Sequence, residues 1–538
     1  MAEGLSAAQA AGAIAATPPV TFTLERREDD LAHYSSSEAL RLARIVGAPP
    51  RTIAEAIVAH LPPASEISRV ETAGPGFINF WIDDGWVLNQ LREIVHAGST
   101  YGGSNHGGGA SVQVEYVSAN PTGPLTAGAG RGGVVGDALA RLLETCGYSV
   151  TREYYVNDAG HQVEILGMSV YHHYAAALGA QAPFPADGYQ GDYIAEWAAR
   201  IARDDGSRWL GNGVPSDPRA FEARAVEIGL AEIRRDLDDL GIEFDVWFSE
   251  QAMRDRGAVD EVIHALDDRG FVAERDGAVW FIGGAGADDR ENVLVRSRGD
   301  PTYFAVDIAY HQDKFETRGF QRVIDVWGAD HHGHVPRMHA AMEALDADAV
   351  RLEILVTQMV GIRTDGELGR QGKRSGKFVT LREVLDEVGP AATRYFFLSK
   401  AIDSQMEFDL ELAKREDPEN PVYYIQMAHA RCAGIQRTAA EARTADGAAR
   451  LTSDDVALAR RLLAFPEVVV DACLNREPHR VTHYLLELAR VFHSYYNRHR
   501  VVTDDAALTA RRLELVRAVQ QVLANGLGLL GIAAPERM

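Results

Sequence analysis

Cysteine is nearly missing from this sequence. There are three in 538 residues, Cys146, Cys432 and Cys473, and no two stand close enough to form a CxxC knuckle. That excludes a disulfide-stapled scaffold and a cysteine-built zinc site, and it fits a reducing compartment. No run of 18 or more apolar residues occurs, so no membrane-spanning helix is expected. The stretch Met1–Val20 is rich in alanine but lacks a basic segment followed by a strong apolar core, and is not read as a signal peptide. Positive charge is also short: 54 Lys and Arg stand against 77 Asp and Glu, a net charge of −23. Such a chain does not coat nucleic acid by bulk charge, although a local basic face would still suffice for a nucleic-acid partner. Together these absences predict a cytoplasmic protein with no membrane association.

What is present reads as globular. Apolar residues make up 46% and charged residues 24%, and the length allows three or four domains. From Phe22 to Ile82 short helical and strand patterns alternate, ending in the turn and strand Gly74-Pro75-Gly76-Phe77-Ile78-Asn79-Phe80. The glycine-rich stretch Gly102–Gly109 reads as a linker. Beyond it come a β-branched strand, Val112–Val117, a Gly/Pro loop from Asn120 to Gly133, a helical pattern from Val134 to Cys146 and a second strand, Tyr148–Val156. Strand, glycine loop, helix, strand is the unit of a parallel nucleotide-binding sheet. Another strand, Val323–Trp327, ends at a polar cluster, and the residues between read as a mostly helical insertion. After Gly389 the pattern is helical, as in Leu485–Ala489 and Leu513–Leu527. The expected organisation is an α/β module over 1–104, a Rossmann-like catalytic domain over 105–389 with an insertion at about 165–290, and a helical domain over 390–538.

The loop Gly128-Ala129-Gly130-Arg131-Gly132-Gly133 satisfies GxGxxG, and Glu153 lies near the end of the next strand, where a dinucleotide fold places its ribose carboxylate. Taken alone, the window suggests NAD, but a short glycine pattern is weak and turn glycines without a ligand are common. The cluster Asp330-His331-His332-Gly333-His334 invites a metal on composition. However, neighbouring histidines on an extended strand face opposite ways, and the spacing matches no standard zinc motif.

Wider strings change the reading. Val114-Glu115-Tyr116-Val117-Ser118-Ala119-Asn120-Pro121-Thr122-Gly123-Pro124-Leu125, with Gly136–Arg141 and Arg152–Gly160, resembles the signature region of the arginyl-tRNA synthetases. The resemblance continues through Phe244–Glu250, Pro301–Ala305, Trp327–Gly333, Phe378–Leu381, Asn420–Tyr424 and Ala534–Met538. It covers residues 65 to 538 well and the first 65 poorly. It implies a class I synthetase: a parallel-sheet catalytic domain between an N-terminal module that meets the tRNA elbow and a C-terminal anticodon-binding helical bundle. It further implies ATP-dependent attachment of arginine to tRNA through arginyl-adenylate, with Mg²⁺ on the phosphates, by a monomer. By the same resemblance Glu115, Asn120, Tyr303 and Asp307 hold arginine. Gly128, Gly130, Gly328, Asp330, His331, His332, Arg370 and Lys373 hold ATP. Tyr423, Tyr424, Gln426, His429 and Arg498 meet tRNA, whose splayed bases suit aromatic stacking. Thr126, Gly128, Arg131 and Lys373 carry the chemistry.

The chain departs from the family in three places. Where the family has His-x-Gly-His, this chain has Thr126-Ala127-Gly128-Ala129. Where it has Lys-Met-Ser-Lys, this chain has Arg370-Gln371-Gly372-Lys373, keeping positive charge at both lysine positions. The elbow-contacting pattern is replaced by Ala32-His33-Tyr34-Ser35-Ser36-Ser37. Removing one preorganised donor from a phosphate or oxyanion site commonly costs about 10²–10³ in rate. The alternative is therefore a paralogue that binds arginine, ATP or tRNA without efficient aminoacylation. The amides at the helix N-terminus are expected to remain as an anion site.

Overall fold

Five short runs of β-branched and aromatic residues line up in parallel, as buried strands do when helices cover both faces. They are β1 (Ser111–Glu115), β2 (Ser149–Val156), β3 (Val246–Ser249), β4 (Arg322–Gly328) and β5 (Leu352–Thr357), ordered β5-β4-β1-β2-β3. Val114 pairs with Ile324 on one side and Arg152 on the other, and Val112, Val114, Val323 and Ile324 are buried. The order of strands reverses between β1 and β4. Loops leaving the carboxyl ends of these two strands therefore flank a crevice, the usual ligand position in an open parallel sheet.

The structure is a computed structural model describing residues 1–27, 32–283, 292–346, 351–364, 367–368, 379–441, 444–445, 449 and 451–538. Helix α1 (Ala127–Thr145) crosses from β1 to β2. Gly136 lets it lie close to the end of β1, since a Cβ there would run into the Tyr116 side chain. Helix α2 (Tyr303–Gln312) runs into a π turn, Asp313–Thr317, and α3 (Val335–Ala344) joins β4 to β5. Helix α4 (Leu381–Leu398) opens with a capping box, Thr380 with Glu383, and kinks at Gly389, whose φ of 73° precedes Pro390. Helix α5 spans Pro421–Thr438.

The expected mostly helical stretch at 165–290 is more varied. Helices His161–Ala177, Asp192–Asp205 and Pro218–Asp239 enclose their own core of Tyr171, Tyr174, Trp197 and Phe221. Strand β3 then returns to the main sheet, and Val272–Arg275, Ala278–Phe281 and Val293–Val295 form a small antiparallel sheet. Strands of three or four residues are too short for period-2 alternation to stand out beside long amphipathic helices.

Two compact units divide the chain, one of residues 1–98, 434–464 and 491–522, the other of 99–433, 465–490 and 523–538. The second contains the parallel sheet. In the first, strands Glu25–Arg26, Tyr34–Ser36, Phe77–Ile82 and Ile67–Ala73 form an antiparallel sheet in that order. Helices Ala2–Ala10, Glu38–Val46 and Pro50–Ala59 share a core with it built on Leu5, Leu42, Ile53, Ile57, Ile78 and Phe80. Among the described residues no helix is long and apolar enough to cross a membrane.

Candidate active site

The chain leaves β1 under strain. Val117 and Ser118 have φ of 67° and 40°, a left-handed pair without glycine that costs free energy and persists only when anchored. The anchor is the Ser118 hydroxyl, which donates to Glu115 Oε1 (2.8 Å) and accepts from the Tyr155 amide (3.0 Å). The loop then presents Asn120, whose Nδ2 donates to Gln162 Oε1 at 2.6 Å. The Asn157 amide can donate to Glu250 Oε2 at 3.2 Å and lies 3.0 Å from the side-chain oxygen of Asn120. Tyr155, on β2, is buried, with its hydroxyl beside the Glu250 carboxyl. Burial pushes this phenol up, and the carboxylates of Glu250 and Asp307 push it further. Burial also raises the Glu250 carboxyl, against the opposing charge of Arg254. Tyr303 stands exposed at the start of α2, and Asp307 follows one turn later. A phenol oxygen beside carboxylates only partly neutralised suits a small polar cation.

Glu115 is not part of that opening. Its Oε2 accepts from Lys314 Nζ at 2.6 Å, and Lys314 also donates to Asp325 Oδ1 at 2.8 Å. His311 Nε2 meets Asp325 Oδ2 at 2.7 Å. All four groups are buried. Burial opposes charge on Asp325, but Lys314 and then His311 overcome it and hold the carboxyl down at about 2. Burial raises the Glu115 carboxyl despite Lys314. The expected arginine contact at Glu115 is thus corrected. A carboxylate with so little exposure needs a protein cation, and the π turn supplies one from inside. Glu153 is likewise buried, taking Tyr310 Oη and Arg318 Nη1, each at 2.5 Å. Neither oxygen awaits a ribose.

The glycine loop forms the first turn of α1. Thr126 caps the helix, its Oγ1 accepting from the Ala129 amide at 3.1 Å, and the Ala127 amide donates to the Val379 carbonyl at 3.1 Å. The expected open anion site therefore already has partners for two first-turn amides. Gly128 stays partly exposed. Gly130 does not: it is buried, and a Cβ there would come within 2.6 Å of Leu381 Cδ1, so its smallness serves packing and not nucleotide contact. Arg131 is also corrected as a chemical group. It is fully buried and donates to the carbonyls of Gln358 (3.0 Å), Ser404 (3.0 Å) and Ala401 (2.8 Å). Helical geometry turns it inward, away from the loop mouth.

At the end of β4, Gly328 leads into a 3₁₀ turn, Ala329–His334, where Asp330, His331 and His332 are exposed. His331 packs on Trp327 with ring centroids 5.9 Å apart. His334 turns inward, and its Nε2 lies 3.0 Å from Asp307 Oδ2. Arg370 and Lys373 lie outside the described residues. Among the described residues no three His, Cys, Asp or Glu gather as a metal site.

On α5, Tyr423 and Tyr424 are half-buried. Gln426 and His429 are corrected as base-reading groups. Gln426 Nε2 donates to the Ala533 carbonyl (2.9 Å), and the buried His429 Nδ1 bonds the Pro535 carbonyl (2.8 Å). Carbonyls of an irregular segment need donors, and these two side chains supply them. Arg498, in the other unit, is exposed and paired with Asp454 at 2.8 Å.

Tyr155, Glu250, Arg337 and Lys314 were not singled out by sequence, and His334 entered only as part of the candidate metal cluster. Tyr155 and Glu250 do fall inside the quoted strings, and the i, i+3 spacing of His334 and Arg337 was a readable signal.

Comparison with known families agrees with this geometry. The family described as "tRNA synthetases class I (R), catalytic domain" matches residues 90–184 and 215–406. "Arginyl tRNA synthetase N terminal domain" matches 4–82, and "DALR anticodon binding domain" matches 425–538. An arginine–tRNA ligase of Desulforudis audaxviator is 48% identical over 97% of this chain and 94% of its own length. That of Geobacillus kaustophilus is 46% identical over 95% and 93%. A solved structure titled as a putative arginyl-tRNA synthetase of Campylobacter jejuni is 34% identical, with a TM-score of 0.78 over 85% of this chain and all of that one.

Proposed function

The chain belongs to the arginyl-tRNA synthetase family, and we propose, as the function its site supports best, that it is an arginine–tRNA ligase working through arginyl-adenylate. The observation that carries this reading is the polar cluster formed where the chain leaves β1 and β2 and where α2 begins. There the carboxylates of Asp307 and Glu250 lie beside the buried Tyr155 hydroxyl and suit a cation, and Asn120 stands ready for the amino-acid end. Tyr303 closes over the ligand from the start of α2. ATP lies along the turn Gly328–His332 and over Gly128, with Arg370 and Lys373 on its phosphates. Mg²⁺, where bound, would neutralise phosphate charge, and the protein's own part is to orient the two substrates. Arginine's carboxylate attacks the α-phosphorus, pyrophosphate leaves, and a ribose hydroxyl of the tRNA's terminal adenosine then displaces AMP. Tyr423, Tyr424 and Arg498 are the tRNA contacts of this reading, with 1–104 as the elbow module, 105–389 as the catalytic domain and 390–538 as the anticodon domain. The enzyme is taken as a cytoplasmic monomer; its three buried free thiols suit a reducing compartment.

A second reading has its own support. The first turn of α1 has no histidine, and two of its amides are taken by Thr126 and Val379. A paralogue that binds arginine and tRNA but adenylates poorly fits that turn. ATP–pyrophosphate exchange with arginine and tRNA decides between them. Thr126→His with Ala129→His should raise exchange at least about tenfold with little change in ATP affinity, because the missing donors act on transition-state charge. Slow exchange rescued by the pair marks a weakened ligase. Exchange that is fast in the unaltered protein refutes any need for the two histidines. No exchange in either form favours the paralogue.

A further inference from the structure

We propose that His334 and Arg337 are positioning residues that fix Asp307 as the guanidinium-selecting group, so that discrimination of arginine from its neutral isosteres depends on a relay Arg337–His334–Asp307. The inference rests on the arginine pocket described above and names what sets its specificity.

The relay follows from donor and acceptor chemistry. Arg337 Nη2 lies 2.9 Å from His334 Nδ1. A guanidinium only donates, so Nδ1 accepts with its lone pair. The ring proton then sits on Nε2, which lies 3.0 Å from Asp307 Oδ2 and donates to it. One tautomer satisfies both contacts, and Arg337 selects it. The ring is also held sterically, with Phe304 edge-on at 5.5 Å and Trp327 at 5.6 Å between centroids. His334 stands at the N-terminus of α3, three residues before Arg337 on the same face. Asp307 sits across from them on α2.

Asp307 is partly exposed and takes no other side-chain hydrogen bond among the described residues. Its Oδ1 and a second lone pair on Oδ2 are left for a ligand. A guanidinium fork reads two acceptors in one plane, which requires a carboxylate that does not rotate. A single bond from a packed imidazole supplies that fixation without adding net charge beside the ligand. Citrulline carries a urea oxygen where arginine has an N–H. Against a fixed acceptor that oxygen is repelled, whereas a freely turning carboxylate could avoid it.

The test is calorimetry of the full chain with arginine and with citrulline, with ATP and tRNA present, on wild type, His334→Leu and His334→Gln. Glutamine is the conservative variant, since its amide can accept from Arg337 and donate to Asp307 at once. His334→Leu should weaken arginine by about tenfold while leaving citrulline and ATP affinities within about threefold, and His334→Gln should stay within about threefold of wild type for all three. Thermal unfolding of each variant separates a pocket effect from lost folding. Arginine affinity unchanged in His334→Leu overturns the relay, as does a parallel loss of arginine, citrulline and ATP. Equal failure of His334→Gln and His334→Leu overturns it too. A wild type that binds arginine and citrulline equally overturns the arginine pocket itself, a result that none of the other outcomes produces.

Discussion

Arg131 shows how residue identity can mislead when its direction is unknown. It lies in the most motif-like stretch of the chain, yet its guanidinium ends on three backbone carbonyls inside the protein. Arg131→Met should therefore act on stability. Leaving the carbonyls of Gln358, Ala401 and Ser404 without their donor should cost about 3–5 kcal/mol in urea unfolding. Exchange activity per folded molecule should stay within about twofold at 25 °C, since no transition-state contact is removed. A large fall in activity with stability intact would return Arg131 to the chemistry. Thr126 is the complementary case, because its hydroxyl serves the helix as a cap before it can serve a phosphate.

The parallel sheet and α1 were legible as elements, since a β-branched run, a glycine loop and an amphipathic stretch each carry their own period. What those elements bury was not. Nothing in the spacing of Glu115, Lys314 and Asp325 says that they meet, since the pairing of β1 with β4 and the π turn after α2 bring them together across about 200 residues of chain. The pocket was half legible for the same reason. Asn120, Tyr303 and Asp307 sit in recognisable strings, whereas Glu115 is claimed by a cation from a distant element. This network predicts an acid response. The Asp325 carboxyl, ordinarily near 3.8, is held at about 2, so its charged form is favoured in the folded state. Its stabilising contribution is complete above about pH 4 and is lost as pH falls through about 2, amounting to about 2 kcal/mol. Asp325→Asn should flatten the dependence of unfolding free energy on pH in that window. An unchanged slope would show that Asp325 titrates normally.

At the scale of the whole molecule, the charge balance makes tRNA a demanding partner. With a net charge of −23, binding depends on a limited set of cations. Many of these already have acids beside them, as Arg498 has Asp454, Arg511 has Glu514 and Arg512 has Asp455. Few phosphates should therefore be neutralised. A plot of log affinity for tRNA against log salt should have a slope no steeper than about −3, corresponding to about three phosphate contacts. A slope near −8 would mean that a large basic face operates despite these pairings.

The interleaving of the two compact units adds a matter of timing. Residues 1–98 share a unit with 434–464 and 491–522. A ribosome adding about 5–20 residues per second needs on the order of a minute or less to travel from one stretch to the next. During that interval the first stretch must stand on the core formed by Leu42, Ile53, Ile57, Ile78 and Phe80 alone, while its later companions do not yet exist. A slow codon in the intervening message would therefore lengthen the exposure of the finished beginning.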